Sequence, residues 1–159
     1  MNSMDIYYRK VRDVKTPQKG HTLDAGIDFF IPNEFPKTIV HFGHSVLIPL
    51  GIKVAIPENT CLMGANKSGI SLKLGLIHGG NIVDAGYTGE LHIQMISVVK
   101  LDTPALLLPG MKIIQYLLIK LGNTTDTNLI ECDMKEYDEI VKNIKDQRGP
   151  GAFGSTGIY

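Results

Sequence analysis

No regular hydrophobic pattern in this 159-residue chain runs for long before a glycine, proline, asparagine or histidine interrupts it. In Gly51-Ile52-Lys53-Val54-Ala55-Ile56-Pro57, the residues Ile52, Val54 and Ile56 share one face and Lys53 points the other way. Pro57 then removes the donor that the next ladder bond would need. Similar short apolar or alternating segments stand at 6–11, 28–31, 45–56, 91–99 and 112–121. With 17 Gly and 8 Pro scattered between them, the chain has room for many short strands and little for long helices. The pattern predicts one all-β domain of sandwich or barrel type, built from antiparallel sheets with one buried face. A chain of this length can bury a working core without a metal or a disulfide.

Helical signals are few. Residues 68–74 fit a short helix, and Asp133-Met134-Lys135-Glu136 has the spacing of a capping box, with Tyr137, Ile140, Val141 and Ile144 following near helical spacing. A polar connector would look much the same as the second.

Charge narrows the partners. Sixteen basic and sixteen acidic residues, with no long run of either sign, do not suit a protein that coats nucleic acid. Any anionic ligand is therefore small and held locally. No apolar run reaches the roughly 20 residues of a membrane span, so a soluble protein without membrane contact is expected. Cys61 and Cys132 lack paired metal-ligand spacing, which points to a reducing, cytoplasm-like compartment. His41 and His44 flank Gly43 and read as a polar turn, and His78 as a loop residue.

Two regions carry chemistry. At 148–157, five of ten residues are Gly or Pro and only Phe153 is large. Such a stretch cannot pack a core, but its glycines let backbone N–H groups approach an anion. Arg148, Phe153, Gly154, Ser155 and Thr156 stand among those glycines, which favours a lid over phosphates above a disordered end. Earlier in the chain, Asn66-Lys67-Ser68-Gly69 offers a cation, a hydroxyl and a glycine amide at a possible helix start, where free N–H groups favour an anion. The run from Gly79 through Asn81, Ile82, Val83, Asp84 and Tyr87 to Glu90 has the turn chemistry of a hairpin. On spacing alone Asp84 could be an Asx-turn residue or a catalytic one.

Taken together, five ordered segments resemble the motifs of the homotrimeric dUTP pyrophosphatases, or dUTPases. They are Ala25-Gly26-Ile27-Asp28-Phe29, Lys67-Ser68-Gly69-Ile70, the run from Asn81 to Glu90, Gly110-Met111-Lys112-Ile113-Ile114-Gln115, and 148–157. The resemblance implies a distorted, jelly-roll-like β-barrel over 1–147, with one or two short helices, and a flexible C-terminal tail over 148–159. It implies hydrolysis of dUTP to dUMP and pyrophosphate, which keeps uracil out of DNA and supplies dUMP for thymidylate synthesis. Residence would be cytoplasmic, or in the nucleus or host cytoplasm for a viral protein.

The resemblance also assigns roles. The backbone of Asn81, Ile82 and Val83 would read uracil in a hairpin too snug for the thymine methyl. Tyr87 would pack where a ribose 2′-hydroxyl collides, His92 would face the substrate, and Asp84 would deprotonate the attacking water. Lys67, Ser68, the Gly69 amide and Gln115 would contact phosphates. Mg²⁺ would bridge phosphate oxygens, with Asp28 reaching it only through water. From the tail, Phe153 would stack on uracil while Arg148, Ser155 and Thr156, spaced by Gly154, hold the γ-phosphate. Each site would combine residues of several subunits of a homotrimer, with Ile77, Ile93, Met95 and Ile96 as candidates for its apolar interface.

The family usually has Arg where this chain has Lys67, and Asp-Arg where it has Met111-Lys112. A rival with the same fold is dCTP deaminase, whose chemistry needs a proton-shuttling carboxylate at the position of Gln94. A third reading is a trimer that binds nucleotides or a partner without catalysis.

Overall fold

The computed structural model describes residues 5–122 and 130–142. The chain divides into two compact units, Met1–Thr125 and Asp126–Tyr159. The boundary expected at 147/148 lies outside the described residues. In the first unit the strands are β1 (Tyr7–Lys10), β2 (Ile27–Phe30), β3 (Thr38–Val40), β4 (Ser45–Pro49), β5 (Ile52–Ala55), β6 (Thr60–Ala65), β7 (Leu76–Gly79), β8 (Ile82–Asp84), β9 (His92–Ser97), β10 (Ala105–Leu107) and β11 (Lys112–Lys120). One short helix, α1 (Ser68–Leu74), lies between β6 and β7.

Every ladder is antiparallel, and the strands form four small sheets ordered β1-β5, β10-β3, β2-β11-β6-β8 and β4-β9-β7. This is the mostly β architecture that the sequence pattern predicts, and it agrees with the jelly-roll-like fold that the resemblance implies. The sheets close on a core in which Ile31, Ile48, Leu50, Leu62, Leu76 and Ile114 are wholly buried, each worth about 1.5–3 kcal/mol of transfer free energy.

Two expectations change. Residues 45–56 are not one strand: Leu50 and Gly51 separate β4, which pairs with β9, from β5, which pairs with β1. Gly51 has φ +68°, and a side chain there would also press on Arg12 and Val14. Ile93 and Met95, offered as interface residues, are 0% and 1% exposed and belong to the core. Only Ile77 and Ile96, facing one another across β7 and β9 and half-buried, remain available to a partner.

Residues 41–44 form the expected turn, with the His44 N–H donating to the His41 carbonyl at 3.0 Å. In the second unit the capping-box segment does open a helix, α2 (Met134–Lys142). The Asp133 carboxylate accepts from the Glu136 N–H at 2.9 Å, which satisfies one of the free donors of the first turn. Met134, Tyr137 and Ile140 remain exposed along it. No described helix is long and apolar enough to cross a membrane.

Candidate functional site

The expected hairpin at 79–90 is not a paired hairpin. β7 pairs with β9, Gly79 facing Gln94, whereas β8 crosses to the other sheet and pairs with β6. The chain between β7 and β9 therefore bridges two sheets. Gly80 allows the crossing with φ +75°, a conformation that costs glycine little. The Asn81 carbonyl is turned into the second sheet, accepting from the Gly64 N–H at 2.6 Å.

At the seam between the two sheets lies a cavity of ≈ 350 Å³. Gly79, Leu47, Leu91, His92 and Gln94 line it from the side of β4-β9-β7, and Gly80, Ile82, Val83, Asp84, Tyr87 and Tyr116 complete the lining. Asp84 ends β8 in a tight turn, its carbonyl accepting from the Tyr87 N–H at 3.0 Å. The turn is made by the main chain, so the exposed Asp84 carboxylate is not used up in building it. Tyr116 is buried to 1% exposure, with its ring edge-on to Phe29 at 5.1 Å. Burial pushes its hydroxyl up to about 12, so it stays neutral.

Tyr87 is held from two sides. Its hydroxyl donates to the Glu90 carbonyl at 2.8 Å, and its ring passes so close to Gly89 that a β-carbon there would overlap it. Glu90 is itself fixed, accepting from Arg12 Nε at 2.6 Å, Arg12 Nη2 at 3.1 Å and the Gly51 N–H at 3.0 Å. The Arg12 bonds, helped by Gly51 and opposed by partial burial, hold the Glu90 carboxyl below its ordinary range. His92 Nδ1 lies 2.9 Å from the same Glu90 carbonyl. Gln94 donates to Ser45 Oγ at 3.0 Å and contributes an amide to the lining of the cavity.

The phosphate-facing candidates lie elsewhere. Lys67 is the N-cap residue of α1, and no side chain caps that helix start. Ser68 and Gly69 are exposed at its first positions, and nothing within 4 Å would meet a β-carbon on Gly69. Lys67, Gly69, Ile70, Lys73, Met111 and Lys112 line a second, open cavity of ≈ 310 Å³ that shares no residue with the first. Gln115 does not line it: its amide donates to the Asn66 carbonyl at 3.2 Å, and its side chain packs over Gly26.

Asp28 does not fit the part of a magnesium partner reached through water. Its Oδ1 accepts from Lys67 Nζ at 2.5 Å and its Oδ2 from Lys112 Nζ at 2.9 Å. Burial opposes its charge, yet the two lysines prevail and hold the carboxyl below its ordinary value. Two ammoniums against one carboxylate leave a positive trio, a poor neighbour for a cation. Among the described residues no three His, Cys, Asp or Glu converge on a metal position.

Register fixes how far apart these groups stand. Asp28 faces Gln115, Gln115 faces Ala65, and Cys61 faces Asp84, with β2 and β8 at opposite edges of one sheet. Three strand spacings and four residues of offset put Asp28 and Asp84 roughly 14 Å apart sideways and roughly 13 Å along the strands. Arg148, Phe153, Gly154, Ser155 and Thr156 lie outside the described residues. Arg12 and Tyr116 were not singled out from the sequence, and Lys112 was noted there only as a departure from the family's Asp-Arg; the contacts of all three become visible only once the strands are paired.

A family model described as dUTPase matches residues 12–157. A deoxyuridine 5′-triphosphate nucleotidohydrolase of Clostridium tetani is 35% identical over 148 residues, spanning 91% of this chain and 90% of its own. One from Candida albicans is 30% identical over 155 residues, spanning 98% and 88%. Among solved structures, a variant dUTPase of Staphylococcus bacteriophage 80alpha with dUpNHpp gives a TM-score of 0.74 at 19% identity, covering 97% of this chain and 99% of that one. The dUTPase of phage phi11 of S. aureus, a variant in which a structural Mg(II) ion is coordinated, gives 0.68 at 19% identity, covering 81% and 97%.

Proposed function

The chain belongs to the dUTPase family and hydrolyses dUTP, and from that premise we propose how its residues divide the work. Deoxyuridine enters the seam cavity, whose ≈ 350 Å³ suits a nucleoside. Backbone groups of Asn81, Ile82 and Val83 read the uracil edge, and Tyr87 lies against the deoxyribose where a 2′-hydroxyl would collide. His92 completes the wall. Asp84 accepts a proton from water as the water oxygen bonds to the α-phosphorus. The bond from that phosphorus to the bridging oxygen breaks, and pyrophosphate leaves with the electron pair, giving dUMP.

The observation that carries this reading is the meeting of Asp84, Tyr87, Gly79, Gly80, Ile82 and Val83 around one cavity that the Gln94 amide also lines. That amide cannot shuttle the protons of a deamination, and a non-catalytic trimer has no use for an unspent carboxylate beside the pocket.

Lys67, Ser68, the Gly69 amide and Gln115 contact the phosphates, Gln115 after releasing Asn66. A magnesium ion, when bound, would accompany the triphosphate as its counterion and neutralise phosphate charge. The tail over 148–159 closes the site, with Phe153 on uracil and Arg148, Ser155 and Thr156, spaced by Gly154, at the γ-phosphate. A homotrimer assembles the site, because Asp84 and the lysines stand at opposite corners of one sheet and line separate cavities. The free thiols of Cys61 and Cys132 suit a cytoplasmic setting.

Purified protein with Mg²⁺ should release pyrophosphate from dUTP and scarcely from dTTP, dCTP or UTP. Asp84→Asn should bind dUTP while losing turnover by about 10³-fold or more, since removing a general base costs 10²–10⁴-fold. Wild-type turnover in that variant would sink the assignment of the base, and ammonia release from dCTP would sink the reaction.

A further inference from the structure

Asp28 is buried to 5% exposure, yet it joins three elements. It sits on β2, opposite Gln115 of β11 on one side. On the other, its N–H donates to the Gln18 carbonyl at 2.8 Å, and the Gln18 N–H donates back at 3.2 Å. This rigid carboxylate receives Lys67 from the start of α1 on one oxygen and Lys112 from the start of β11 on the other. Both lysines border the ≈ 310 Å³ cavity together with Lys73, and among the described residues no acidic one lines it.

A lysine is a point charge on a flexible stem, whereas a guanidinium presents a fixed fork of donors. Two lysines pinned to the two oxygens of one buried carboxylate recover the fork: their spacing is set by the carboxylate, and each ammonium keeps donors beyond the one spent on Asp28. The trio stays positive and opens on a cavity that Lys73 also lines, so the ligand it favours is an anion.

We propose that Asp28 is a positioning residue that sets Lys67 and Lys112 as a two-pronged clamp for the β- and γ-phosphates, and that it does not serve the magnesium ion. The proposal rests on Lys67 as a phosphate contact; it adds Lys112 to the site and takes Asp28 away from the metal. With one carboxylate and two amines the chain thus reaches a donor geometry similar to that of a single guanidinium.

The test uses the full chain and dUpNHpp, first in EDTA by calorimetry, then with Mn²⁺ as a paramagnetic stand-in for magnesium. Wild-type protein should bind in both conditions; if it neither binds dUpNHpp nor releases pyrophosphate from dUTP, the functional reading falls, and the proposal with it. Given wild-type binding, Asp28→Asn is expected to weaken dUpNHpp in EDTA by about ten-fold or more. Its affinity for dUMP, and the Mn²⁺ affinity of its nucleotide complex, should stay at the wild-type values. Lys112→Gln alters a half-exposed side chain, spares the fold, and is expected to show the same pattern. Weakened Mn²⁺ binding in Asp28→Asn with unchanged affinity in EDTA would return Asp28 to the metal. Unchanged affinity in EDTA for Lys112→Gln would abolish the clamp. Either result overturns the proposal.

Discussion

At Gly89 a single added methyl would reach the ring of Tyr87. An alanine β-carbon would fall 2.6 Å from Tyr87 Cζ and 3.1 Å from Cε2, so the ring would have to move. Because that ring stands in the wall of the seam cavity, Gly89→Ala is expected to erode the preference for dUTP over UTP. The ratio of kcat/KM values should fall about ten-fold, while stability changes by about 1 kcal/mol or less, as for most surface substitutions. Parallel assays with both nucleotides, beside a urea titration, check this; an unchanged ratio would show that the ring position does not choose the sugar. At this scale the sequence was legible where chemistry and turn propensity coincide. Asp84 does stand at a turn, but its main chain and not an Asx side-chain bond builds that turn, so the side chain remains available. The meeting of Lys67 and Lys112 on Asp28 was not legible, since it spans separations of 39 and 84 residues and depends on the register of β11.

Among the elements, the loop between β7 and β9 keeps its shape through its far end. Glu90 anchors it to Arg12 and to the turn at Gly51, so a residue far outside the cavity braces the segment that carries Tyr87. Arg12→Ala should lower stability, and only modestly, because the arginine side chain is 39% exposed and solvent screens the pair. A urea midpoint that shifts at unchanged slope would record it; no shift would mean the loop holds without the pair. The break between β4 and β5 shows why elements are harder to read than residues. Ile48, Leu50, Ile52, Val54 and Ile56 are all buried, so the alternation of period two runs straight through Gly51 and conceals the change of sheet. β6 was missed for the opposite reason: it lies between β11 and β8, is buried on most positions, and hardly alternates. β8 is only three residues long, too short to show a period.

For the molecule as a whole, acid should act in two stages. Burial holds the His78 ring below its ordinary value, so the unfolded chain takes up a proton near pH 6.5 that the folded chain refuses. Stability present above that value is therefore lost as pH falls from there toward the folded value. Asp28 and Glu90 are likewise depressed in the fold. Their contributions are full above about pH 4.3, the ordinary carboxylate range, and disappear as pH drops through the folded values. Urea midpoints between about pH 7 and pH 5.5 should thus fall for the wild type and flatten in His78→Val; equal slopes would remove His78 from the account. The fold class was legible at this scale because interruptions of hydrophobic pattern are a global property. The division of the site was not, because it follows from the order β2-β11-β6-β8, which no local pattern encodes. That order has a genetic consequence. In the proposed trimer the carboxylate at one corner of the sheet serves a nucleotide whose phosphates lie against the opposite corner of a neighbour. Two defective alleles, one damaged at Asp84 and the other at Lys67, would then complement each other in mixed assemblies, although neither allele could sustain the reaction alone.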